Sequence, residues 1–160
     1  MELRAFYNKL LPETGVYCLF NKATKEHLWA DGLTAFLELS ENTITNGKGW
    51  YFATGSFSEE GTKFAGRTQD NVQNKRCFYL DIDAGPEKYS KQGNENKVYP
   101  TQRDALTALV SFIKATGFKP SMVVSSGAGL HVYYALNEDI DPRTEWRPAA
   151  VAFGKMAIAH

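Results

Sequence analysis

The amino-acid sequence predicts an α+β fold, and three observations support this prediction. Apolar side chains recur at helical spacing in several segments, among them 3–11 and 101–117. Other segments are short apolar runs of strand length, such as 16–20 and 76–83. Clusters of Gly, Pro and Asn separate these segments and mark turns. With 160 residues, the chain is long enough to bury a hydrophobic core.

The first half of the chain, over 1–75, is predicted to form a small α/β unit. Its elements in chain order are a helix over 3–11, a hairpin of strands 16–20 and 27–30, a helix capped by Asp31, and a strand over 50–53. Residues 56–74 are polar and contain glycine, so they are predicted to form a long loop.

The second half, over 76–160, is predicted to run strand, helix, strand, strand, helix. These elements are a strand over 76–83, a helix capped by Thr101 and ended by Gly117, strands over 121–125 and 130–136, and a helix capped by Thr144. The apolar face predicted for the first of these helices carries Ala105, Leu106, Leu109, Val110 and Ile113. This order is that of a split βαβ unit, RRM-like, whose last strand is missing. A right-handed crossover is expected to place strands 76–83 and 121–125 side by side.

Composition narrows the classes of function. Eighteen basic residues balance eighteen acidic ones, so the chain as a whole has no polycationic signature. The 10 Phe, 8 Tyr and 3 Trp argue against disorder. Cys18 and Cys77 lack metal-ligand spacing and are expected to be buried, reduced thiols. No apolar run reaches membrane-spanning length and the start is unlike a secretory signal, so we expect a cytoplasmic protein without a membrane partner.

The strand over 76–83 ends in two aspartates one residue apart. Strand alternation places Asp81 and Asp83 on one face, about 6 to 7 Å apart along the strand. The opposite face carries Phe78, Leu80 and Ile82. Carboxylates this close repel each other unless a cation lies between them, and hard oxygen ligands suit Mg²⁺ or Mn²⁺. The pattern indicates half of a metal–phosphate site; the alternative is a strand that runs into a solvated turn.

A second polar motif lies in the turn between the two later strands. Ser126, Gly127 and Gly129 precede His131 on the following strand. Glycines allow backbone N–H groups to approach an anion, and serine adds a hydroxyl donor. A histidine just after such a turn can donate to a phosphate oxygen. The alternative is a plain hairpin whose glycines only meet the geometry of the turn.

Together these motifs resemble the archaeo-eukaryotic primase superfamily, in its phage and plasmid primase-polymerase branch. The family pattern is an apolar strand ending in D-x-D/E, then a small residue, any residue and His on a later strand, then a third acid on a strand after the next helix. Here Asp81 and Asp83 match the first motif, and the turn with His131 matches the second. The resemblance spans about 50–159.

The resemblance implies a DNA primase or DNA polymerase that joins nucleotides during replication. Asp81 and Asp83 would be catalytic and would bridge two Mg²⁺ or Mn²⁺ ions. Ser126, Gly127, Gly129 and His131 would hold the nucleotide triphosphate. The implied partners are single-stranded or primed DNA, nucleoside or deoxynucleoside triphosphates, and a helicase domain or protein.

Two further cations are expected to contact phosphate or template. They are Arg67 and Lys75, and the alternative for both is a solvated loop charge. From Lys63 to Lys97, seven basic residues exceed five acidic ones by two. We therefore expect modest, strongly salt-dependent binding to DNA.

The chain departs from the family pattern because it has no third acid after the last helix. Asp139 and Asp141 come before that helix. The missing acid and the missing strand are one segment, so we expect the sequence to be a fragment whose last catalytic strand follows His160, rather than a catalytically defective protein.

Three other classes share parts of the pattern. A metal-dependent phosphohydrolase of the haloacid dehalogenase type also begins with a strand ending in D-x-D, but it typically has Thr or Ser where Gly85 stands. A rolling-circle relaxase needs a paired-histidine metal motif, and His131 has no second histidine near it in the sequence. A non-catalytic nucleic-acid-binding module of RNA-recognition type matches the order of elements but should carry aromatic side chains where this sheet carries acids.

Overall fold

The computed structural model describes residues 2–46, 49–64, 66–94 and 97–159, and it confirms the α+β class. The described elements are α1 Leu3–Leu10, β1 Val16–Asn21, β2 His27–Asp31, α2 Leu33–Asn46, β3 Trp50–Phe52, β4 Gly55–Phe57, α3 Glu59–Phe64, β5 Val72–Asp83, α4 Pro86–Tyr89, α5 Gln102–Thr116, β6 Met122–Ser125, β7 Gly129–Ile140 and α6 Arg147–Ala159. None of the helices in these ranges combines the length and apolar composition needed to cross a lipid bilayer.

The described strands form one seven-stranded antiparallel sheet. Its order is β2-β1-β4-β5-β7-β6, and β3 pairs with β1. The chain packs as two compact units, one of Met1–Cys77 with Leu136–Ala149 and one of Phe78–Ala135 with Ala150–His160. The long strands β5 and β7 therefore each contribute to both units. The division of the chain at 75 and 76 stays a prediction, and 136–149 groups with the first unit.

The first unit is built around the apolar strand β1. Its residues Tyr17 and Leu19 are buried against α1 and α2, where Tyr7 and Phe36 supply aromatic rings. The predicted hairpin of β1 and β2 is confirmed, with Cys18 opposite Trp29. Strand β1 is therefore covered by helices and flanked by strands, as its almost wholly apolar sequence requires.

The second unit packs α5 and α6 against one face of β5 and β7. Side chains of β5 meet Leu109 and Phe112 from α5 and Phe153 from α6 in one apolar cluster. Helix α5 begins at the predicted cap, because Thr101 and Asp104 form a reciprocal capping box. It ends at Gly117, whose φ of 74° suits glycine. Leu106 and Val110, predicted to face the core, are exposed instead.

The structure corrects three predictions. Residues 56–74 are not a long loop, because they contain part of β4, all of α3 and the start of β5. Strand β6 does not lie beside β5, because β7 lies between them. The cap before the last helix is Asp141 rather than Thr144, since its carboxylate accepts hydrogen bonds from the Arg143 and Thr144 N–H groups at 2.9 and 2.7 Å. One π turn, Pro142–Trp146, then precedes α6.

The capping box of α5 predicts a measurable loss of stability on mutation. Thr101→Ala removes the hydroxyl that accepts from the Asp104 N–H at 3.2 Å. We expect the free energy of unfolding in urea to fall by about 1 kcal/mol. Thr107→Ala is the matched control, because its exposed hydroxyl donates only to the Arg103 carbonyl within the helix, and we expect a change within about 0.5 kcal/mol. Equal losses in the two variants would contradict the capping role.

Candidate functional site

Both aspartates of β5 alternate with the apolar side chains of that strand, as predicted. The other face of this strand is apolar, because Phe78, Leu80 and Ile82 pack into the core of the second unit. Asp81 and Asp83 remain open to solvent, with 54% and 44% of their side-chain surfaces exposed. Alternation along a regular strand thus supplies two solvated carboxylates on one surface.

The glycine turn before β7 touches the end of β5. The Ala84 N–H donates to the Ala128 carbonyl at 3.0 Å. Gly129 has a φ of 151°, and a Cβ there would lie 2.1 Å from the Ile82 carbonyl oxygen. Only glycine permits this approach, since real Cβ contacts are never so short. The structure therefore brings the two sequence motifs together.

His131 lies next to the first aspartate. Its Nε2 is 3.7 Å from Asp81 Oδ1, which is beyond hydrogen-bonding distance. The imidazole meets the edge of the Tyr79 ring, with the ring centroids 5.6 Å apart. Tyr79 in turn packs against Tyr133 at 5.1 Å. Aromatic packing thus orients an imidazole beside a carboxylate on the exposed face of the second unit.

Part of the hydrogen-bonding capacity that the sequence analysis assigned to an anion is used within the turn itself. The Ser126 N–H is already used, because it donates to the Gly129 carbonyl at 3.0 Å and closes the turn. Gln102 ties the same turn to α5, donating to the Ser125 hydroxyl and the Gly129 carbonyl, each at 3.1 Å. Gly129 is buried, whereas Ser126 and Gly127 are exposed. Among the predicted anion-binding residues of the turn, these two face solvent.

Asp83 has a basic partner that the sequence analysis did not select. The Lys88 ammonium, on the short helix α4, donates a hydrogen bond to Asp83 Oδ1. The two side chains are 43% and 44% exposed. One of the two carboxylates is therefore already paired with a lysine ammonium.

A cleft of about 750 Å³ borders the same strand end. Its base is apolar and is formed by β5, α5 and α6, including Leu80, Leu109 and Phe112. Its polar and aromatic residues are Asp81, Asp83, Tyr89, Lys97 and Tyr99. This volume is within the range of small-ligand sites. The turn and His131 do not line the cleft, so it shares only the aspartates with the candidate site.

The two other predicted contacts, Arg67 and Lys75, lie in the first unit. The Arg67 guanidinium lies 4.4 Å from the centroid of the Phe20 ring. The Lys75 ammonium donates to the Thr54 hydroxyl at 3.1 Å and lies 4.9 Å from the Trp146 ring centroid. Burial lowers the pKa of Lys75. Lys75 lies in β5 and is partly buried, so it is not a solvated loop charge, whereas Arg67 is exposed and lies outside the helices and strands. The contact of either residue with phosphate or template stays a prediction.

The predicted reduced state of the cysteines is confirmed, because Cys18 and Cys77 are free and buried. Burial raises the pKa of the Cys18 thiol to about 12 and that of Cys77 to about 11. Since the thiolate is the reactive form, neither cysteine is a nucleophile near neutral pH.

The side chains of the site can be compared with the ligands that a divalent cation requires. Within the described ranges, no group of three or more His, Cys, Asp or Glu side chains is arranged to hold a metal. Mg²⁺, however, commonly takes one or two protein carboxylates and completes its shell with water and substrate phosphates. Asp81 and Asp83, exposed on one strand face, fit that partial role.

Sequence reasoning missed Lys88 and Gln102. Lys88 follows Asp83 closely in sequence, so a lysine shortly after the two acids could have been recognised as a partner for one of them. Gln102 had no such signal, because its partners Ser125 and Gly129 are distant along the chain and adjacent only in the fold.

Comparisons with family models, curated proteins and solved structures gave no match to this chain. The resemblance to primase-polymerases therefore depends on the motifs and on their placement in the fold.

The contact between the turn and β5 predicts the effect of two glycine substitutions. Gly129→Ala places a methyl group against the Ile82 carbonyl and also strains the backbone, so the free energy of unfolding should fall by more than about 2 kcal/mol. Gly127→Ala is the control, because its φ is also positive, at 83°, but no atom lies within 4 Å of the position that its methyl group would take. We expect a loss of only about 1 kcal/mol there. Urea denaturation distinguishes the two, and a smaller loss at Gly129 would contradict the close packing.

Proposed function

We propose that this chain carries the nucleotidyl-transfer site of a DNA primase-polymerase. One observation carries the proposal: the turn packs against β5, so that His131 lies beside Asp81 on the same exposed face. The two motifs on which the resemblance depends are thus neighbours. The sequence alone does not require this proximity, because the motifs lie on separate strands and their distance depends on tertiary structure.

In this proposal, Asp81 and Asp83 are the carboxylates that hold two Mg²⁺ or Mn²⁺ ions. When bound, such ions would supply Lewis-acid chemistry, which activates an attacking 3′-hydroxyl and stabilises a leaving pyrophosphate. The exposure of both aspartates leaves room for substrate phosphates as further ligands.

The remaining residues bind and orient the nucleotide. His131 donates to a phosphate oxygen from its place beside Asp81, with its ring held by Tyr79. Ser126 and Gly127 supply donors from the exposed part of the turn. Gly129 acts by allowing the turn to approach β5 and does not itself contact phosphate. Arg67 and Lys75 are further contacts to phosphate or template in this proposal.

The order of elements supports the finer fold assignment that accompanies this function. Strand β5, helix α5, strands β6 and β7, and helix α6 follow one another in the chain, with β7 between β5 and β6 in the sheet. We propose that these elements form a split βαβ unit of the RRM-like type. Fold alone does not specify function, so the assignment depends on the site residues.

The proposed role of the aspartates can be tested directly. We expect a protein that carries this chain together with the third acid of the family pattern, supplied with Mn²⁺, deoxynucleotides and primed DNA, to extend the primer. Asp81→Asn should lower the rate at least about a hundredfold, because loss of a residue that merely supports a metal ligand already costs ten- to a hundredfold.

Asp70→Asn is the matched control, since this exposed aspartate lies in the first unit and the substitution leaves its main-chain carbonyl, which accepts from Arg143, in place. It should extend primers at the wild-type rate. Extension that survives Asp81→Asn would refute the metal-ligand role. Absence of extension in the wild type under these conditions would remove the support for polymerase activity.

A second candidate function is non-catalytic binding of single-stranded nucleic acid. One observation favours it: Tyr79, 38% exposed, packs with His131 on the open sheet face, where a base could stack. Binding of DNA by a wild-type protein that extends no primer, and loss of that binding in Tyr79→Ala, would favour this candidate.

Salt dependence tests the interaction with DNA that both candidates share. With equal numbers of acidic and basic residues, the chain must rely on local contacts between cations and phosphates. We expect the affinity for single-stranded DNA, measured by fluorescence anisotropy, to fall about ten- to twentyfold between about 50 and 200 mM salt, as for about three phosphate contacts. An affinity that salt leaves unchanged would contradict electrostatic binding.

A further inference from the structure

Lys88 occupies the position where the proposed function requires a cation. Its ammonium donates to Asp83 Oδ1, one of the two carboxylates on the exposed face. Asp81, the other, is near the imidazole of His131 instead. The two acids therefore have different neighbours, and only Asp83 is hydrogen-bonded to an ammonium among the contacts that the structure describes.

The backbone around Lys88 is tied to the end of β5. The Tyr99 N–H donates to the Asp83 carbonyl at 2.9 Å, and the Gly85 N–H donates to the Tyr99 carbonyl at the same distance. The Asn94 side chain donates to the Lys88 carbonyl at 2.8 Å. The Tyr89 N–H of α4 donates to the Gly85 carbonyl at 2.9 Å. Because Gly85 directly follows the end of β5, this bond keeps α4 next to Asp83, and the Lys88 ammonium stays near the site when its ion pair is broken.

The ion pair itself is weak enough to exchange. Both side chains are more than two fifths exposed, and exposed ion pairs of this kind contribute little to the stability of a protein. A divalent cation that engages both aspartates gains more than the single pair with Lys88 supplies. Lys88 is thus able to give up Asp83 without loss of the fold.

We propose that Lys88 is a nucleotide-phosphate ligand that Asp83 holds until a divalent cation binds. This inference rests on the proposed function, because it takes Asp81 and Asp83 as the metal-binding pair. After the exchange the ammonium is next to the phosphates that complete the cation's shell. A lysine binds phosphate as a mobile point charge, which suits a side chain that changes partners.

The exchange predicts opposite effects of one substitution on two ligands. In Lys88→Ala, Mn²⁺ alone no longer competes with the ammonium, so its affinity should rise about two- to fivefold. The affinity for dATP in saturating Mn²⁺ should fall about tenfold, because a charge-assisted contact to phosphate is lost. Isothermal titration calorimetry on the full chain measures both affinities without any need for turnover.

Two further variants make the result specific. Lys91→Ala removes an exposed lysine a few residues later in the same segment and should change neither affinity. Lys88→Gln keeps a polar side chain, one atom shorter than that of lysine, without the charge and should behave as Lys88→Ala does. Lys88→Gln also provides the affinity measurements if Lys88→Ala lowers the melting temperature of the protein.

Each outcome decides a separate claim. Unchanged or weaker Mn²⁺ binding in both Lys88 variants would overturn the exchange at Asp83. Unchanged dATP affinity would overturn the role as a phosphate ligand. If primer extension is lost in Asp81→Asn but is normal in both Lys88 variants, the proposed function stands and the inference about Lys88 falls. If Mn²⁺ binds more tightly to the Lys88 variants but no variant extends primers, the exchange stands and the transferase proposal falls.

Discussion

At Gly129 the backbone of β7 lies so close to the Ile82 carbonyl that a side chain there would displace one of the two strands. The proximity of Asp81 and His131 depends on this approach. The hydrogen bond from Ala84 to Ala128 closes the same junction, and Gln102 fixes the turn from the helix side. Because strand and turn are held by backbone contacts, the positions of Asp81 and His131 follow from the fold rather than from flexible side chains.

The electrostatics of the site follow from this geometry. Two carboxylates on one strand face repel each other, and solvent exposure only partly screens that repulsion. The structure offsets it with Lys88 at Asp83, while Asp81 lies beside the imidazole of His131. A site arranged in this way is negative, open and partly compensated by a tethered cation. Those are the properties expected of a surface that exchanges its own ammonium for metal and phosphate.

What the sequence could predict was the local part of this arrangement. Alternation in β5 correctly separated Phe78, Leu80 and Ile82 from the acids, and Thr101 was correctly identified as a cap. Helical spacing also allowed Leu106 and Val110 to be assigned to the core, but Phe112 lies there and both are exposed, because periodicity does not specify which edge of an apolar stripe meets the sheet. The position of β7 beside β5 and the contacts of Gln102 depend on tertiary packing, which no local pattern encodes.

The small number of protein ligands has a thermodynamic consequence for the proposed function. With two carboxylates on the exposed face, the described part of the chain by itself completes no coordination shell, and in the proposed function water and phosphate oxygens would supply the other ligands. Binding of the cation and of the nucleotide is then linked, and each must raise the affinity for the other by the same factor. In the proposed exchange, Lys88 would strengthen that linkage, because its ammonium, paired with Asp83 in the structure, would oppose the cation and would attract phosphate once released. The same lysine would then disfavour the site with metal alone and favour the site with metal and nucleotide together.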